Sequence, residues 1–382
     1  MNLFLIIFIS FFGFYFLNKY LKNRNLLVNY KGEKHQKFLG SKNIPLSGGI
    51  FLTFAIIILF FNHNFYLSLF IFFAFCIGFA SDTKFLSSPK LRLLIQSLII
   101  IFFVLFLDIQ IYETKFMFLD RLLENIYFRY FFSTFCLLIL INGSNFIDGL
   151  NGLLIGYFSL VILIIFYLNF YSYLEIEKNL IILLLSTLLY LFILNINNKL
   201  FMGDSGSYVL GLMCGYFLIK INEVNQEISP YFIILLLWYP CFENLFSIIR
   251  KFSLRKSPIN ADNNHLHQLL FFYLKKKKIL KKLNVNNSSS ILIILYNLLV
   301  FIISLSNFSN SQFQIILVMI NIIIYLFVYF KLFTFNDKSY SLLLRMLVSN
   351  EPFASILTLI FPFPFLSRLG DGVGSIGVRL QR

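Results

Sequence analysis

Long runs of apolar residues without charge dominate this chain and limit what it can fold into. The hydrocarbon core of a bilayer is about 30 Å thick, and about 17 to 20 apolar residues cross it as a helix. Roughly eleven stretches of the sequence are candidates for such spans, with ends defined to within several residues, which predicts an all-α polytopic membrane protein with about eleven transmembrane helices. The stretches lie near residues 2–18, 46–62, 64–80, 93–108, 127–142, 152–172, 179–195, 206–220, 230–249, 290–306 and 312–334.

The composition excludes an ordinary soluble fold. Of 382 residues, 59% are hydrophobic and 13% are charged, whereas soluble domains are about 45–50% apolar and about 25% charged. A net charge of +15 would suggest nucleic acid in a soluble protein, but here the cations lie in short loops between apolar runs, where they set orientation. We therefore expect no nucleic-acid partner. The four cysteines have no CxxC spacing, which argues against a disulfide framework and a zinc site.

The distribution of Lys and Arg predicts the orientation in the membrane. The loops that follow odd-numbered stretches and the tail, counted together with Lys331 near the end of the eleventh stretch, hold 27 of the 32 Lys and Arg residues. The positive-inside rule then puts the amino terminus outside and the carboxyl terminus in the cytoplasm. We expect a single transmembrane domain over residues 1–366, a cytoplasmic tail over residues 367–382, and a location in the inner (cytoplasmic) membrane.

Four short polar clusters fall at the ends of apolar stretches, all on the predicted cytoplasmic face. Polar groups at membrane depth are costly and are kept mainly where they pair, bind or react. We therefore expect one site that faces the cytoplasm. It would be built from the cytoplasmic segments 19–45, 81–92, 143–151, 196–205 and 250–289.

Two of these clusters each carry an aspartate next to a predicted helix end. Asp82, in the first cluster, can cap a helix or take part in a reaction, and the sequence leaves both interpretations open. Asp204, in the third cluster, can likewise be a cap or a magnesium ligand. Gly203 and Gly206 on either side let the backbone approach a ligand, and free amides at this helix start would suit a phosphate.

The second cluster, residues 142–152, is rich in side-chain amides. If it forms a helical turn, Asn145 and Asp148 lie at positions i and i+3 and share one face. That face would offer oxygen atoms to a nucleotide-sugar or a hydrated magnesium ion. A plain polar turn punctuated by glycines is the alternative.

The fourth cluster contains His265 and His267, downstream of Arg250 in the long basic loop. Residues two apart do not share a helix face, which argues against an HExxH-type zinc site. We expect these histidines to make separate hydrogen bonds to phosphate or base.

In this order, the clusters resemble the polyprenyl-phosphate N-acetylhexosamine-1-phosphate transferases, the glycosyltransferase family 4 type that includes the peptidoglycan phospho-muramoyl-pentapeptide and lipopolysaccharide GlcNAc-1-phosphate enzymes. The resemblance runs from about His35 to Leu270. It rests on Lys34-His35, Pro45-Leu46-Ser47-Gly48-Gly49, Ser81-Asp82, the Asn-x-x-Asp-Gly motif at 145–149, Met-Gly-Asp-Ser-Gly-Ser at 202–207 and His-x-His at 265–267.

The resemblance implies an enzyme of the phosphotransferase class that acts on substituted phosphate groups. It would need Mg²⁺ and would move HexNAc-1-phosphate from a UDP-N-acetylhexosamine to undecaprenyl phosphate, releasing UMP, for surface polysaccharide or cell-wall synthesis. Membrane lipids are further partners, and a homodimer is plausible. Pro240 and Glu243 resemble the Pro and acidic residue of the family's ninth span. The expected catalytic residues are Asp82, Asp148 and Asp204; the expected metal ligands are Asp204 and Asn145; the expected substrate-binding residues are Lys34, His35, Asn145, Asn151, Arg250, His265 and His267.

Two positions depart from the family pattern. Ser81 stands where the family has the first aspartate of a pair, and Asn151 stands where it has the second aspartate of its Asn-x-x-Asp-Gly-x-Asp-Gly motif. Ser81 cannot act as a general base. A phosphate monoester has a second pKa of about 6, however, so prenyl phosphate is largely dianionic near neutral pH and needs no such base.

Three questions stay open at the level of sequence. Direct attack by the lipid phosphate and a covalent route through an aspartate both fit the residues. A lipid-linked-sugar transporter or flippase, or an inactive structural homologue, is the alternative to an enzyme, although transporters place polar residues nearer the midplane. The donor sugar is also open, and the departures favour an enzyme that primes a surface polysaccharide.

Overall fold

The computed structural model describes residues 3–28, 44–170, 177–253, 255, 257, 264–277 and 284–336. Within these ranges the chain is helical, apart from one isolated bridge between Val28 and Pro45. The helices are α1 (Leu3–Asn23), α2 (Gly48–Phe60), α3 (Phe65–Asp82), α4 (Pro89–Phe106), α5 (Met117–Leu123), α6 (Ile126–Ile147), α7 (Leu153–Phe170), α8 (Lys178–Ile196), α9 (Gly203–Val224), α10 (Pro230–Leu236), α11 (Trp238–Ser253), α12 (Leu266–Lys277), α13 (Val285–Leu305) and α14 (Ser311–Asn336).

The predicted all-α polytopic membrane fold is confirmed. Each predicted apolar stretch coincides with a helix, and the ninth stretch is divided between α10 and α11. By length and composition, seven helices in the described part of the chain can cross a membrane, or eight if α10 and α11 count as one span. The seven are α1, α3, α4, α6, α8, α13 and α14. Eleven spans and the orientation of the termini stay predictions, because α2 and α7 are shorter apolar helices and α9 carries three charged residues.

Local sequence explains several helix boundaries. The turn between α2 and α3 ends at Asn64, whose side chain accepts a hydrogen bond from the Leu67 amide at 2.9 Å. Ser88 and Ser229 each precede a proline at the first helical position, in α4 and α10 respectively, and accept a hydrogen bond from the following turn. A polar cap followed by proline is a strong helix start, since proline lacks the amide that would otherwise be unpaired there.

Helix α9 lies at the centre of the bundle and packs on α2, α3, α6 and α7. Small residues at its contacts allow close approach, as is usual where helices associate within membranes. A Cβ atom on Gly78 of α3 would overlap the main chain of Ser205, and one on Gly211 would lie 2.7 Å from the hydroxyl of Ser144 on α6. These glycines bring the ends of α3 and α6 against the start of α9.

Helices α10 and α11 meet at an angle of 77°. Pro240 has no amide proton, and its ring clashes with the carbonyl four residues earlier in a regular helix. That carbonyl belongs to Leu236, the last residue of α10. The bend faces Gly143 on α6, where a Cβ would overlap the Pro240 carbonyl. Gly143, which belongs to the second polar cluster, therefore leaves room for the bend.

A second group of charged residues lies away from the predicted site. At the end opposite to the predicted site, Lys220 near the end of α9 donates hydrogen bonds to the Glu223 carboxylate at 2.7 Å and to the Asp108 carbonyl at 3.1 Å.

Two predicted site residues, Lys34 and His35, lie outside the described residues, as does the predicted tail, residues 367–382.

Candidate functional site

The amino terminus of α9 is capped by carboxylates from two other helices. Asp82, the last residue of α3, accepts the Asp204 amide at 2.9 Å and the Ser205 amide at 3.1 Å, and it also accepts the Ser205 hydroxyl at 2.7 Å. Asp148, directly after α6, accepts the Gly203 amide. Negative groups are favoured at this positive end of a helix. The sequence-based expectation of free amides for a phosphate here was therefore wrong, because Asp82 and Asp148 already occupy them.

Gly203 allows this arrangement. Its φ of +71° lies in the left-handed region, which costs L-residues about 1–2 kcal/mol. A Cβ atom at this position would also lie 2.6 Å from a carboxylate oxygen of Asp82. Glycine is thus required both by the backbone conformation and by the approach of Asp82.

The side chain of Asp204 does not cap α9 but forms hydrogen bonds with two other polar side chains. Its Oδ2 accepts the Ser81 hydroxyl at 2.6 Å and Nη1 of Arg92 at 2.8 Å. Arg92 also donates to Ser81. Both Asp204 and Arg92 are about a quarter exposed, so this ion pair lies at the rim of the site. Ser81, the first departure from the family motif, links the two charges.

The second polar cluster forms a helical turn, as predicted. Asn145 lies in the last turn of α6, and Asp148 follows it and donates its amide to the Asn145 carbonyl at 3.3 Å. Burial raises the pKa of Asp148 well above its usual range, and the charges of Asp82 and Asp204 raise it further, against the hydrogen bond from Gly203. Three aspartates from α3, α6 and α9 therefore share one small volume and repel one another.

The histidine part of the site is organised by Glu243 of α11. Its carboxylate is fully buried. One oxygen lies 2.9 Å from Nδ1 of His265 and accepts a hydrogen bond from the Leu266 amide at 3.3 Å. The other oxygen accepts the Tyr325 hydroxyl of α14 at 2.8 Å. Helix α12 is therefore fastened at its start to α11 and α14.

Arg250, predicted to bind substrate, is buried and makes contacts within the protein. Its guanidinium donates to the Asn264 carbonyl, to the Tyr329 hydroxyl at 2.6 Å and to the Ser247 hydroxyl at 3.2 Å. These contacts fix the backbone immediately before His265. A contact between Arg250 and substrate stays a prediction.

His267 is fully buried and contacts the second polar cluster. A Cβ atom on Gly149 would lie 2.6 Å from Nε2 of His267, and neither ring nitrogen has a hydrogen-bond partner within the described residues. Burial lowers the pKa of His267 to about 3, against a smaller opposing effect of Glu243. The imidazole is therefore neutral near pH 7.

Two contacts join the carboxylate part of the site to the histidine part. The Phe146 ring lies 4.9 Å from the His265 ring, between centroids, and Nζ of Lys251 lies 5.8 Å from the Phe146 ring. Gly149 and His267 make the second contact. Phe146 lies in the last turn of α6 and Gly149 in the turn that follows it, so the end of α6 lies between the two parts.

Asn151, the second departure from the family motif, lies in a network of asparagines. Its amide nitrogen Nδ2 donates to Oδ1 of Asn198 at 2.7 Å, and its backbone amide donates to Oδ1 of Asn286 at 2.8 Å. The side chain is 3% exposed. The structure thus shows Asn151 tying the polar turn to α13 and to the loop after α8, while its predicted contact with substrate stays untested.

The oxygen atoms of Asp82, Asp148, Asp204 and Asn145 are the hard ligands that Mg²⁺ prefers. The mutual repulsion that raises the pKa of Asp148 is the kind that a bound cation relieves. In the described ranges, no three or more Asp, Glu, His or Cys side chains are grouped closely enough to chelate a metal. The residues fit an ion that completes its shell with water and substrate oxygens, as Mg²⁺ usually does.

The structure brings together most of the predicted site residues. Asp82, Asp148, Asp204 and Asn145 lie around the start of α9. His265, directly before α12, and His267, within α12, contact the second polar cluster through Phe146 and Gly149. Three residues at the site were not predicted to be part of it: Arg92, Phe146 and Glu243. Arg92 lies in the first polar cluster, Phe146 in the second, and Glu243 in the resemblance to the family's ninth span, so the sequence pointed to the position of each but not to its contact.

Comparison with known proteins shows what this helical membrane protein and its aspartate-rich site are similar to. The family model of glycosyl transferase family 4 matches residues 64–222, which contain Asp82, Asp148 and Asp204. This segment belongs to glycosyl transferase family 4, which confirms the family resemblance.

Individual relatives carry a common name. The undecaprenyl-phosphate alpha-N-acetylglucosaminyl 1-phosphate transferases of Salmonella typhi and Escherichia coli (strain K12) are each 26% identical over 242 residues, 59% of this chain and 65% of the relative. The enzyme of that name from Thermotoga maritima is 30% identical over 132 residues, 34% of this chain and 39% of the relative. The chain thus spans 65% of the length of the first two relatives.

Proposed function

We propose that this protein transfers HexNAc-1-phosphate from a UDP-sugar to undecaprenyl phosphate, giving undecaprenyl-diphosphate-sugar and UMP. The observation that carries the proposal is the convergence of Asp82, Asp148 and Asp204 at the start of α9, within a segment of glycosyl transferase family 4. The names of the relatives support both the lipid acceptor and the transferred group. The family match favours a transferase over a transporter.

The proposed reaction is a single displacement at phosphorus. An oxygen of the lipid phosphate forms a bond to the phosphorus attached to the sugar, while the bond from that phosphorus to the bridging oxygen breaks and UMP leaves with it. The acceptor is largely dianionic near neutral pH, so no protein base has to remove a proton. Catalysis then depends on positioning and on charge stabilisation, as is general for phosphoryl transfer.

The chain's own residues would divide this work between them. Asp82 holds the first turn of α9 in place, which sets the position of Asp204. Arg92 is a cation with further donors beyond the one that bonds Asp204, and a guanidinium fork matches phosphate oxygens. His265 approaches the same volume from α12 and is suited to donate to a phosphate or sugar oxygen.

Magnesium dependence is part of the proposal. Mg²⁺ held by Asp204 and Asn145, with Asp148 near them, would neutralise negative charge on the diphosphate of the donor. The location follows from the same reasoning: the site would face the cytoplasm from the inner membrane. UDP-N-acetylglucosamine is the first donor to try, given the names of the relatives.

Release of UMP by the purified protein tests the proposal. A panel of UDP-N-acetylhexosamines would be supplied with undecaprenyl phosphate, with and without Mg²⁺, to the wild type and to Asp204→Ala. We expect turnover that needs both lipid and Mg²⁺ and that falls at least about a thousandfold in the variant. No turnover with any donor, from protein shown to be folded, would contradict the proposal.

A further inference from the structure

The segment between α4 and α6, residues 107–125, lies at the end of the bundle away from the aspartates. Helix α6 begins at Ile126, directly after this segment, and ends at Ile147, beside Asp148. Its 22 residues extend over about 33 Å as a helix, which is close to the thickness of the hydrocarbon core. Because α6 is a candidate membrane span, the segment lies at the bilayer surface opposite to the candidate site.

Hydrogen bonds give this segment a defined shape. Thr114 donates both its amide and its hydroxyl to Oδ1 of Asp120, each at 2.7 Å, and so closes a loop around the start of α5. The Ile111 amide donates to the Ser133 hydroxyl of α6 at 3.1 Å. The side chains between residues 114 and 120 are therefore presented in a fixed arrangement next to α6.

The loop exposes a cluster of large apolar side chains. Phe116, Met117 and Phe118 are consecutive and are 57%, 72% and 69% exposed, and Tyr127 in the first turn of α6 is 81% exposed. Exposed apolar clusters mark contacts with membranes or proteins, and aromatic residues are enriched where a bilayer meets water. The position of the segment at the bilayer surface favours contact with lipid.

A charged depression adjoins this apolar cluster. Its volume is about 500 Å³, and it is lined by Lys115, Met117, Asp120, Arg121 and Glu124, so Met117 belongs to both features. None of the four charged side chains takes part in the ion pairs found among the described residues. Asp120 and Glu124 are four residues apart and share one face of a helical turn. The depression therefore offers partners to a negative and to a positive group at once.

We propose that this depression binds the headgroup of phosphatidylethanolamine in the leaflet opposite to the candidate site, with residues 116–118 in contact with its acyl chains. Lys115 and Arg121 contact the phosphate, whose oxygens suit a guanidinium. Asp120 and Glu124 accept hydrogen bonds from the primary ammonium, which has three protons to donate. The ammonium of phosphatidylcholine is fully methylated and donates none, and phosphatidylglycerol has no cation, so neither of these lipids satisfies both halves of the depression.

Native mass spectrometry of the purified protein, in an equimolar mixture of the three lipids with the same acyl chains, tests the headgroup. We expect the wild type to retain phosphatidylethanolamine in preference to the other two. Lys115→Gln and Arg121→Gln should each lower this retention about fivefold. Glu124→Gln should lower retention of phosphatidylethanolamine but not that of phosphatidylglycerol, because the contacts to phosphate remain. Lys178→Gln is the control, since Lys178 is another cation on the predicted outer side but begins α8 and does not line the depression.

Tryptophan fluorescence tests the contact with acyl chains. Trp238 is the one tryptophan of the chain and is buried, at 5% exposure. Phe118→Trp adds a second at the exposed cluster. In vesicles of phosphatidylethanolamine brominated on its acyl chains, we expect the added fluorescence to be quenched strongly, whereas the signal of the wild type changes little.

The wild type alone can overturn the proposal, because equal retention of the three lipids would show that the depression does not select this headgroup. Equal retention by Lys115→Gln, Arg121→Gln and Lys178→Gln would also overturn it, as would an introduced tryptophan that brominated chains do not quench. A dimer that Met117→Glu dissociates, without any lipid preference, would assign the apolar cluster to a second copy of the chain instead. These measurements do not involve turnover, so they stand or fall separately from the proposed reaction.

Discussion

The two parts of the site are held together by different kinds of contact. Asp82 and Asp148 bind main-chain amides at the start of α9, so the carboxylate part depends on the path of the backbone. His265 is held by the side chain of Glu243, which Tyr325 in turn supports. Backbone contacts tolerate few changes in geometry, whereas side-chain contacts can be exchanged one residue at a time. We therefore expect the carboxylate part to be the more rigid, and the geometry of the histidine part to be the more easily altered by substitution.

The largest effect is expected from a methyl group added at Gly203, in the carboxylate part, which is held by main-chain contacts. Gly203→Ala places a Cβ atom at a φ of +71° and 2.6 Å from Asp82, so the start of α9 must shift. We expect a loss of about 1–3 kcal/mol in unfolding free energy and a fall of at least about a hundredfold in UMP release. Thermal unfolding in detergent and the UMP assay measure the two effects.

Gly13→Ala is the control for this substitution, because a Cβ on Gly13 meets nothing within 4 Å. It should leave activity unchanged and stabilise α1 slightly, by up to about 1 kcal/mol, through helix propensity. If Gly203→Ala is as active as Gly13→Ala, the carboxylate part is not the rigid one.

A second prediction uses pH to probe the histidine part. The pKa of His267 is about 3 in the folded protein and about 6.5 in an unfolded chain. The unfolded state thus binds more protons below pH 6.5, so the contribution of His267 to stability is complete above that pH and falls as the pH drops towards 3. The slope is about 1.4 kcal/mol of unfolding free energy per pH unit. Unfolding measured from pH 7 to pH 5 tests this.

Replacement of the titrating group should remove that slope. His267→Gln is expected to abolish most of the acid destabilisation, while His63→Gln, which changes an exposed histidine paired with Glu177 at 3.5 Å, should retain it. The raised pKa of Asp148 acts in the opposite direction over this range, so the comparison is between variants. An equal pH dependence of the unfolding free energy in wild type and His267→Gln would contradict a neutral, buried His267.

The smallest effect is expected at the rim of the carboxylate part. Ser81→Ala removes one hydroxyl that bonds Asp204 at 2.6 Å, but the direct contact of Arg92 with Asp204 remains. A loss of about 1 kcal/mol corresponds to about a fivefold fall in kcat/KM for UMP release. Thr83→Val is the matched control, since its hydroxyl bonds the backbone of its own helix at Phe79. A loss above about a hundredfold would show that Ser81 takes part in the chemistry directly.

Much of the fold could be predicted because the lengths of the apolar runs determine where the helices lie. The predicted stretches coincide with helices, and even the break after α10 has a local cause in Pro240. The helical turn at Asn145 and Asp148 was likewise readable from neighbouring residues. These features depend on contacts within a few positions along the chain.

The contacts that organise the site could not be read in this way. Asp82 was expected to cap a helix or to react, but the helix that it caps begins 121 residues later, at Gly203. Glu243 meets Tyr325 across 82 residues. Neither pairing has a periodic signal along the chain, because each depends on how helices distant in sequence pack; at Asp82, Gly78 and Gly203 allow the close approach. The prediction of free amides at Gly203 was wrong for the same reason: the competing acceptors come from α3 and α6.

The bend between α10 and α11 has a consequence for how the protein responds to its bilayer. If the axis of α10, a helix of seven residues, follows the membrane normal, α11 lies close to the membrane plane, since the two helices meet at 77°. Leu245, Ile249 and Phe252 are exposed on α11, while Glu243 and Arg250 are buried. A thinner or thicker bilayer tilts the helices that span it. A helix that lies along the surface has no such length to match, so α11 would keep its depth, and its hold on α12, across membranes of different thickness.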